Sequence, residues 1–235
     1  MDPVRKSALI TGLLFLATFI TSIPALALYG PVLHNSHYVL GAGHDTQIFT
    51  GAFLEVLLCI SNIGTAVAIF PVIRRHNESL AVGYLAARVV ESAIIAVGII
   101  SLLSVVTLRR EFAGSGADAT TFVVVGKALV AVHKWTFLLG PGYCAGIENG
   151  LILGYLMYRS GLVPRPLAVL GLVAGPLAFG AATAELFSLF GQTSAAGAIP
   201  LIPEFLFELL IGLWLTFKGF RPAPVIPAPL EPAAT

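Results

Sequence analysis

Six long apolar runs dominate the chain, at residues 7–29, 48–73, 79–108, 166–190 and 201–217, with the fourth ending at 158 and beginning between 122 and 133. Each can cross a hydrocarbon core of ~30 Å as a helix rising ~1.5 Å per residue. None alternates with period two, so barrel strands are not supported. Charge is correspondingly scarce. Only 11% of the residues are charged, against about 25% in a soluble domain. The mean hydropathy is +0.92. A soluble enzyme, a disordered chain and a nucleic-acid binder are therefore excluded as readings. The expected class is all-α, an integral membrane bundle of six transmembrane helices over residues 1–220.

Breaks between the runs fit this division. Arg74-Arg75-His76-Asn77-Glu78 is a polar turn, and 109–121 is a polar Gly/Ser/Ala loop. Gly161 is placed to stop the fourth helix, and Pro200 and Pro203 to open the sixth, where a missing N–H matters least. Residues 221–235 hold five of the 15 prolines, and are expected to form an extended cytoplasmic tail. Cys59 and Cys144 lie inside apolar runs and read as buried free thiols.

Positive charge sets the expected orientation. With the N-terminus in the cytoplasm, Arg5, Lys6, Arg74, Arg75, Arg159, Arg165, Lys218 and Arg221 are all cytoplasmic, and Arg109 and Arg110 are outside. Both termini then lie inside, and a bacterial inner membrane is the expected location. Splitting the fourth run at Gly140-Pro141-Gly142 would move Arg159 and Arg165 outside, so a proline kink within one helix is the expected reading. Residues 4–27 also resemble a secretory signal ending in Ala25-Leu26-Ala27. The apolar stretch 8–29 is long for a signal, and a retained helix is expected.

The informative residues are the polar ones inside the runs, since a central charge costs about 2.5–3.5 kcal/mol on insertion scales. Counting from the helix ends at ~1.5 Å per residue places Arg88, Glu91, Glu148, Glu208, Asn62 and Asn149 all roughly 14–18 Å deep. Glu55, Glu185, Glu204 and Lys134 form a second layer nearer the outside. Arg88 and Glu91, three apart, share a helix face. Glu204 and Glu208, four apart, would repel unless one carboxyl is protonated, a cation sits between them, or Glu204 is solvated at the helix start, where the dipole favours it. Six intramembrane carboxyls outnumber the cations available, so at least one of Glu91, Glu148 and Glu208 is expected to be neutral at pH 7.

Gly142, Gly146, Gly150 and Gly154 recur every fourth residue, a stripe for close helix packing with Glu148 roughly opposite. His34, His37, His44 and Asp45 cluster in the first loop as weak candidates for a metal, but their spacing matches no metal motif. No metal site and no cofactor are expected. His133 reads as an interfacial anchor beside Trp135. The G-x-S-x-G, H-E-x-x-H and G-x-x-x-x-G-K-[ST] signatures are absent.

Several segments together resemble a bacterial family of six-helix membrane proteins, the domain of unknown function 4386. They are Gly43-His44-Asp45, Arg88-Val89-Val90-Glu91, the Gly154 to Ser160 segment, and Val163-Pro164-Arg165 with its continuation to Gly171. Pro203-Glu204, the Glu208 to Trp214 segment, and Lys218-Gly219 complete the set. The likeness covers about residues 5–220. It implies the architecture and a retained first helix, and it marks Asp45, Arg88, Glu91, Glu204 and Glu208 as family-like. It implies no reaction, ligand or catalytic residue, and the His-rich loop departs from it.

Three functions fit these residues. The first is a small carrier or channel-like module with a mid-membrane carboxylate/Arg site, linked to protons. The second is a membrane enzyme using paired carboxyls on a lipid-like substrate. The third is a structural or assembly protein. The expected partners are the lipid bilayer and a small-molecule or proton substrate, with no nucleic acid.

Overall fold

The computed structural model describes residues 1–41, 43–115, 118–191 and 194–222, and these are helical, with no strand among them. Among the described residues, six helices are long and apolar enough to cross a membrane: α1 (Pro3–Leu28), α2 (Asp45–Ile73), α3 (Glu78–Ala113), α4 (Ala119–Ser160), α5 (Arg165–Leu186) and α6 (Ala195–Phe217). Most of the Pro-rich tail, from residue 223 on, lies outside the described residues.

Each helix packs on its neighbours in sequence, and α6 returns to α1, so the six form a ring. The seams rest on small residues. A Cβ on Gly12 of α1 would strike Thr216 of α6, and one on Gly150 of α4 would strike Gly175 of α5. Outward positions are large and apolar, among them Ile20, Phe53, Ile60, Ile100 and Val124. Water would penalise such a surface, and lipid does not.

Local signals explain the helix ends. Asn77 accepts the Leu80 N–H (3.0 Å) at the start of α3. Gly161 ends α4 with φ +67° and donates its N–H to the Met157 carbonyl, a left-handed stop suited to glycine. Pro200 and Pro203 lie in the first turns of their helical segments. The Arg5 guanidinium reaches the orphan carbonyls of α6, Leu215 O at 2.9 Å and Thr216 O at 2.8 Å, the satisfaction a helix C-terminus requires.

At the end that carries the termini, one apolar core draws on all six helices: Phe15, Ile69, Tyr84, Leu153, Ala168 and Phe207 belong to it. At the opposite end α3 and α4 run on. With 42 residues, α4 is about twice the ~20 that a span needs. It begins at Ala119, earlier than the start expected between 122 and 133. The Thr120 and Thr121 N–H groups bond to the Asp118 carboxyl and hold it below the usual carboxylate range, the Thr120 N–H above all. Likewise α3 passes the expected end at 108, whereas α5 stops at Leu186, short of 190. Residues 30–41 fold onto this extension, where Tyr38 and Val39 pack with Val105 and Val106.

Candidate functional site

On α3, Tyr84, Arg88 and Glu91 follow at spacings of four and three, which sets all three on one face, turned into the ring. On α4, residues Gly146–Leu153 form a π-helical segment that carries Glu148 and Asn149 inward. A second π-helical turn, Leu138–Gly142, contains Pro141. The Gly140-Pro141-Gly142 step is thus accommodated inside one continuous helix and does not divide it. π-Turns of this kind are rare and concentrate at functional sites.

The side chains meet in two adjacent hydrogen-bonded sets, buried except for the half-buried Glu208. Arg88 Nη1 donates to Glu91 Oε2 and to Glu148 Oε1, each at 2.8 Å. Asn62 Nδ2, from α2, donates to Glu91 Oε2 at 3.0 Å. The Tyr84 hydroxyl donates to Asn149 Oδ1 at 3.1 Å, and Asn149 Nδ2 donates to Glu208 Oε1 of α6 at 2.5 Å. The Arg88 guanidinium also lies over the Phe15 ring of α1, 5.5 Å from its centroid. Arg88 is 2% exposed, Glu91 4%, and Glu148 and Asn149 0%. Bulk water therefore screens Arg88, Glu91 and Glu148 little, whereas Glu208 is half-buried. All six residues expected at mid-depth stand in these two sets, although they come from four helices.

Glu204 departs from its expectation. It is 5% exposed, not solvated at a helix start. Helical turns from Ala195 precede it, so it is not at the open end of α6. Its carboxyl fills the space left by Gly150, where a Cβ would come within 2.7 Å of Glu204 Oε2. Among the described residues, no donor stands in hydrogen-bond geometry to either Glu204 oxygen or to Glu148 Oε2, and Arg88 Nε has no acceptor. One arginine thus faces four carboxyls, from Glu91, Glu148, Glu204 and Glu208. Three of these oxygens lack a donor in surroundings where an unpaired charge is costly.

A cavity of about 280 Å³ starts at this network. Its floor is Arg88, Glu91, Asn62 and Glu208, its walls include Thr18, Ser22, Ile95 and Gly98, and its far part carries Glu55 and His133. Its lining comes from α1, α2, α3 and α4, with Glu208 from α6. Three of its lining residues, Ile23, Leu26 and Phe137, are 57%, 47% and 38% exposed, so the cavity meets the apolar outer surface there, at its rim. Glu55 accepts a hydrogen bond from the Tyr29 hydroxyl at 2.8 Å. His133 stacks edge-on against Tyr29, with centroids 5.6 Å apart. It is 5% exposed, so it faces the cavity and is not the interfacial anchor that its neighbours suggested.

The remaining candidates lie apart. Glu185 is partly exposed near the end of α5, and Lys134 points outward from α4, beside a second cleft that also holds His34 and Lys127. Gly146, Gly150 and Gly154 face α5, and Gly142 stands against Leu138 and Ala182. In the first loop His34 contacts the Gly30 carbonyl and His37 contacts Ser36. Asp45 binds Arg109 Nε at 2.9 Å and Arg110 Nε at 2.8 Å. The Tyr38 hydroxyl also reaches Asp45, at 3.3 Å. Burial, with Asp45 beside it, raises the Tyr38 phenol. No group of three or more His, Cys, Asp or Glu side chains is placed to hold a metal among the described residues. Sequence reasoning overlooked Tyr84, Phe15 and the Asp118 cap. The signals were there: Tyr84 lies one turn before Arg88, and Asp118 precedes two threonines.

A family model, Domain of unknown function (DUF4386), matches residues 10–219. That is nearly the whole ring, and the chain, itself a multi-pass membrane protein, belongs to this family. No curated protein and no solved structure matches it.

Proposed function

We propose that this DUF4386 member is a small carrier in which the Arg88 network binds substrate and protons at mid-membrane. It would reside in a bacterial cytoplasmic membrane with both termini inside, as the eight positive residues at that end favour. The observation that carries the reading is the cavity floor: Arg88, Glu91 and Glu208 meet one open space at the depth where ionisable groups are most costly to keep. A purely structural ion pair needs no cavity. A surplus of carboxyls over arginine gives protons a place to bind and leave. Asn62, Asn149 and Tyr84 orient the carboxyls, and the apolar core at the terminal end closes the other side. The test is flux. Liposomes containing the protein should carry a proton, cation or metabolite current. Glu91→Gln and Glu208→Gln should each lower it at least tenfold while the protein stays folded. A folded wild-type protein that carries no proton, cation or metabolite flux would sink the carrier reading.

One observation favours a second reading, an enzyme acting on a lipid-like substrate. Glu91 Oε2 and Glu148 Oε1 bind the same Arg88 nitrogen at 2.8 Å, so the two carboxyls are close enough to act as a pair. Only Glu91 of the two lines the cavity, however, which is why the carrier reading is preferred.

A further inference from the structure

We infer that the cavity takes a cationic amphiphile, an alkyl amine or a molecule of that class, which reaches it sideways from the bilayer. The inference deepens the carrier reading and rests on it. Two features of the lining point to this ligand. The first is charge. Three carboxyls, Glu55, Glu91 and Glu208, line the cavity with one arginine, and that arginine is already shared between Glu91 and Glu148. A positive headgroup completes the balance, whereas a carboxylate or phosphate would add to the surplus. The second is the arrangement of polarity. Acid groups are at the floor and far wall, while the rim is Ile23, Leu26 and Phe137, side chains exposed on the lipid-facing surface. A ligand with an amine head and an alkyl tail matches this order, its head at the carboxyls and its tail leaving through the rim into lipid. Phe19 and Phe137 add aromatic faces along the path, and cations favour such faces.

Binding in nanodiscs tests this without requiring transport. Radiolabelled dodecylamine should bind wild-type protein saturably above protein-free discs. Glu208→Gln and Ser22→Trp should each weaken binding at least tenfold, the first by removing charge and the second by filling the cavity. Should Ser22→Trp fail to fold, Ile23→Trp at the lipid-exposed rim takes its place. Unlabelled dodecylamine should compete, and dodecanoate and butylamine should not. Binding no greater than in empty discs, equal competition by dodecanoate, or full binding in the folded tryptophan variants would each overturn the inference. Proton flux without amine binding would overturn this ligand and leave the carrier standing. Saturable amine binding without any flux would remove the carrier and leave the site.

Discussion

Arg88 holds two carboxylates through one nitrogen, with an aromatic ring beneath it. Breaking a buried pair by removing one partner costs about 3–5 kcal/mol, because it strands the charge that remains. Arg88→Met should therefore lower the thermal unfolding temperature strongly in detergent. Adding Glu148→Gln should restore part of the loss, since it removes one stranded carboxylate. Glu148→Gln alone should change little, because Arg88 keeps Glu91. An Arg88→Met protein as stable as wild type would show that the network contributes nothing to holding the ring. Much of this site was legible at the residue scale. The i,i+3 spacing paired Arg88 with Glu91, and counting residues placed Glu148, Asn149 and Glu208 at their level. The burial of Glu204 is not legible, because it depends on the turns that precede it and on Gly150 opposite. A single strand of sequence carries neither fact.

At the scale of elements, α4 departs most from expectation. Its Gly-Pro-Gly step and glycine stripe were visible, but its length and its π-helical turns were not. Hydropathy cannot locate the start of a helix that continues past the hydrocarbon core, because no change in composition marks the boundary. The Gly146–Leu153 π-turn leaves no pattern of its own in the sequence, whereas the Leu138–Gly142 turn sits at Pro141, which has no N–H to give to the regular ladder. The fit of α4 is tightest at Gly150, where an added Cβ would fall on the Gly175 backbone. Overpacking of this kind costs typically about 1–3 kcal/mol. Gly150→Ala should thus push α4 from α5 and lower the unfolding temperature. It should also lower flux, since Glu148, Asn149 and Glu204 would shift with the helix. Gly180→Ala, where a Cβ meets nothing within 4 Å, should leave both unchanged. Equal effects from the two substitutions would show that the glycine seam is not what sets the position of α4.

The whole molecule is asymmetric along the membrane normal. An apolar core fills the terminal end, the polar network caps that core, and the cavity continues toward the opposite end. Orientation therefore decides which leaflet supplies the cavity. The sequence count set eight positive residues at the terminal end against Arg109 and Arg110. Because α4 begins at Ala119, Lys127 and Lys134 lie in its half away from the termini, and the balance becomes eight to four. Positions close to span ends carry most weight, and Arg74, Arg75, Arg159 and Arg165 all flank such ends, so the bias still favours cytoplasmic termini. Green fluorescent protein fused after Thr235 should fluoresce, and alkaline phosphatase at the same position should be inactive. Phosphatase placed in the α3–α4 loop should be active. The cavity rim would then lie in the outer leaflet, and a membrane-impermeant alkyl quencher added outside should reach a fluorophore on Leu26→Cys and be blocked by dodecylamine. The reverse fusion pattern would invert the molecule and give the rim to the cytoplasmic leaflet. The charge count would then have failed because the long α3–α4 extension stays inside, against the weight of the flanking arginines.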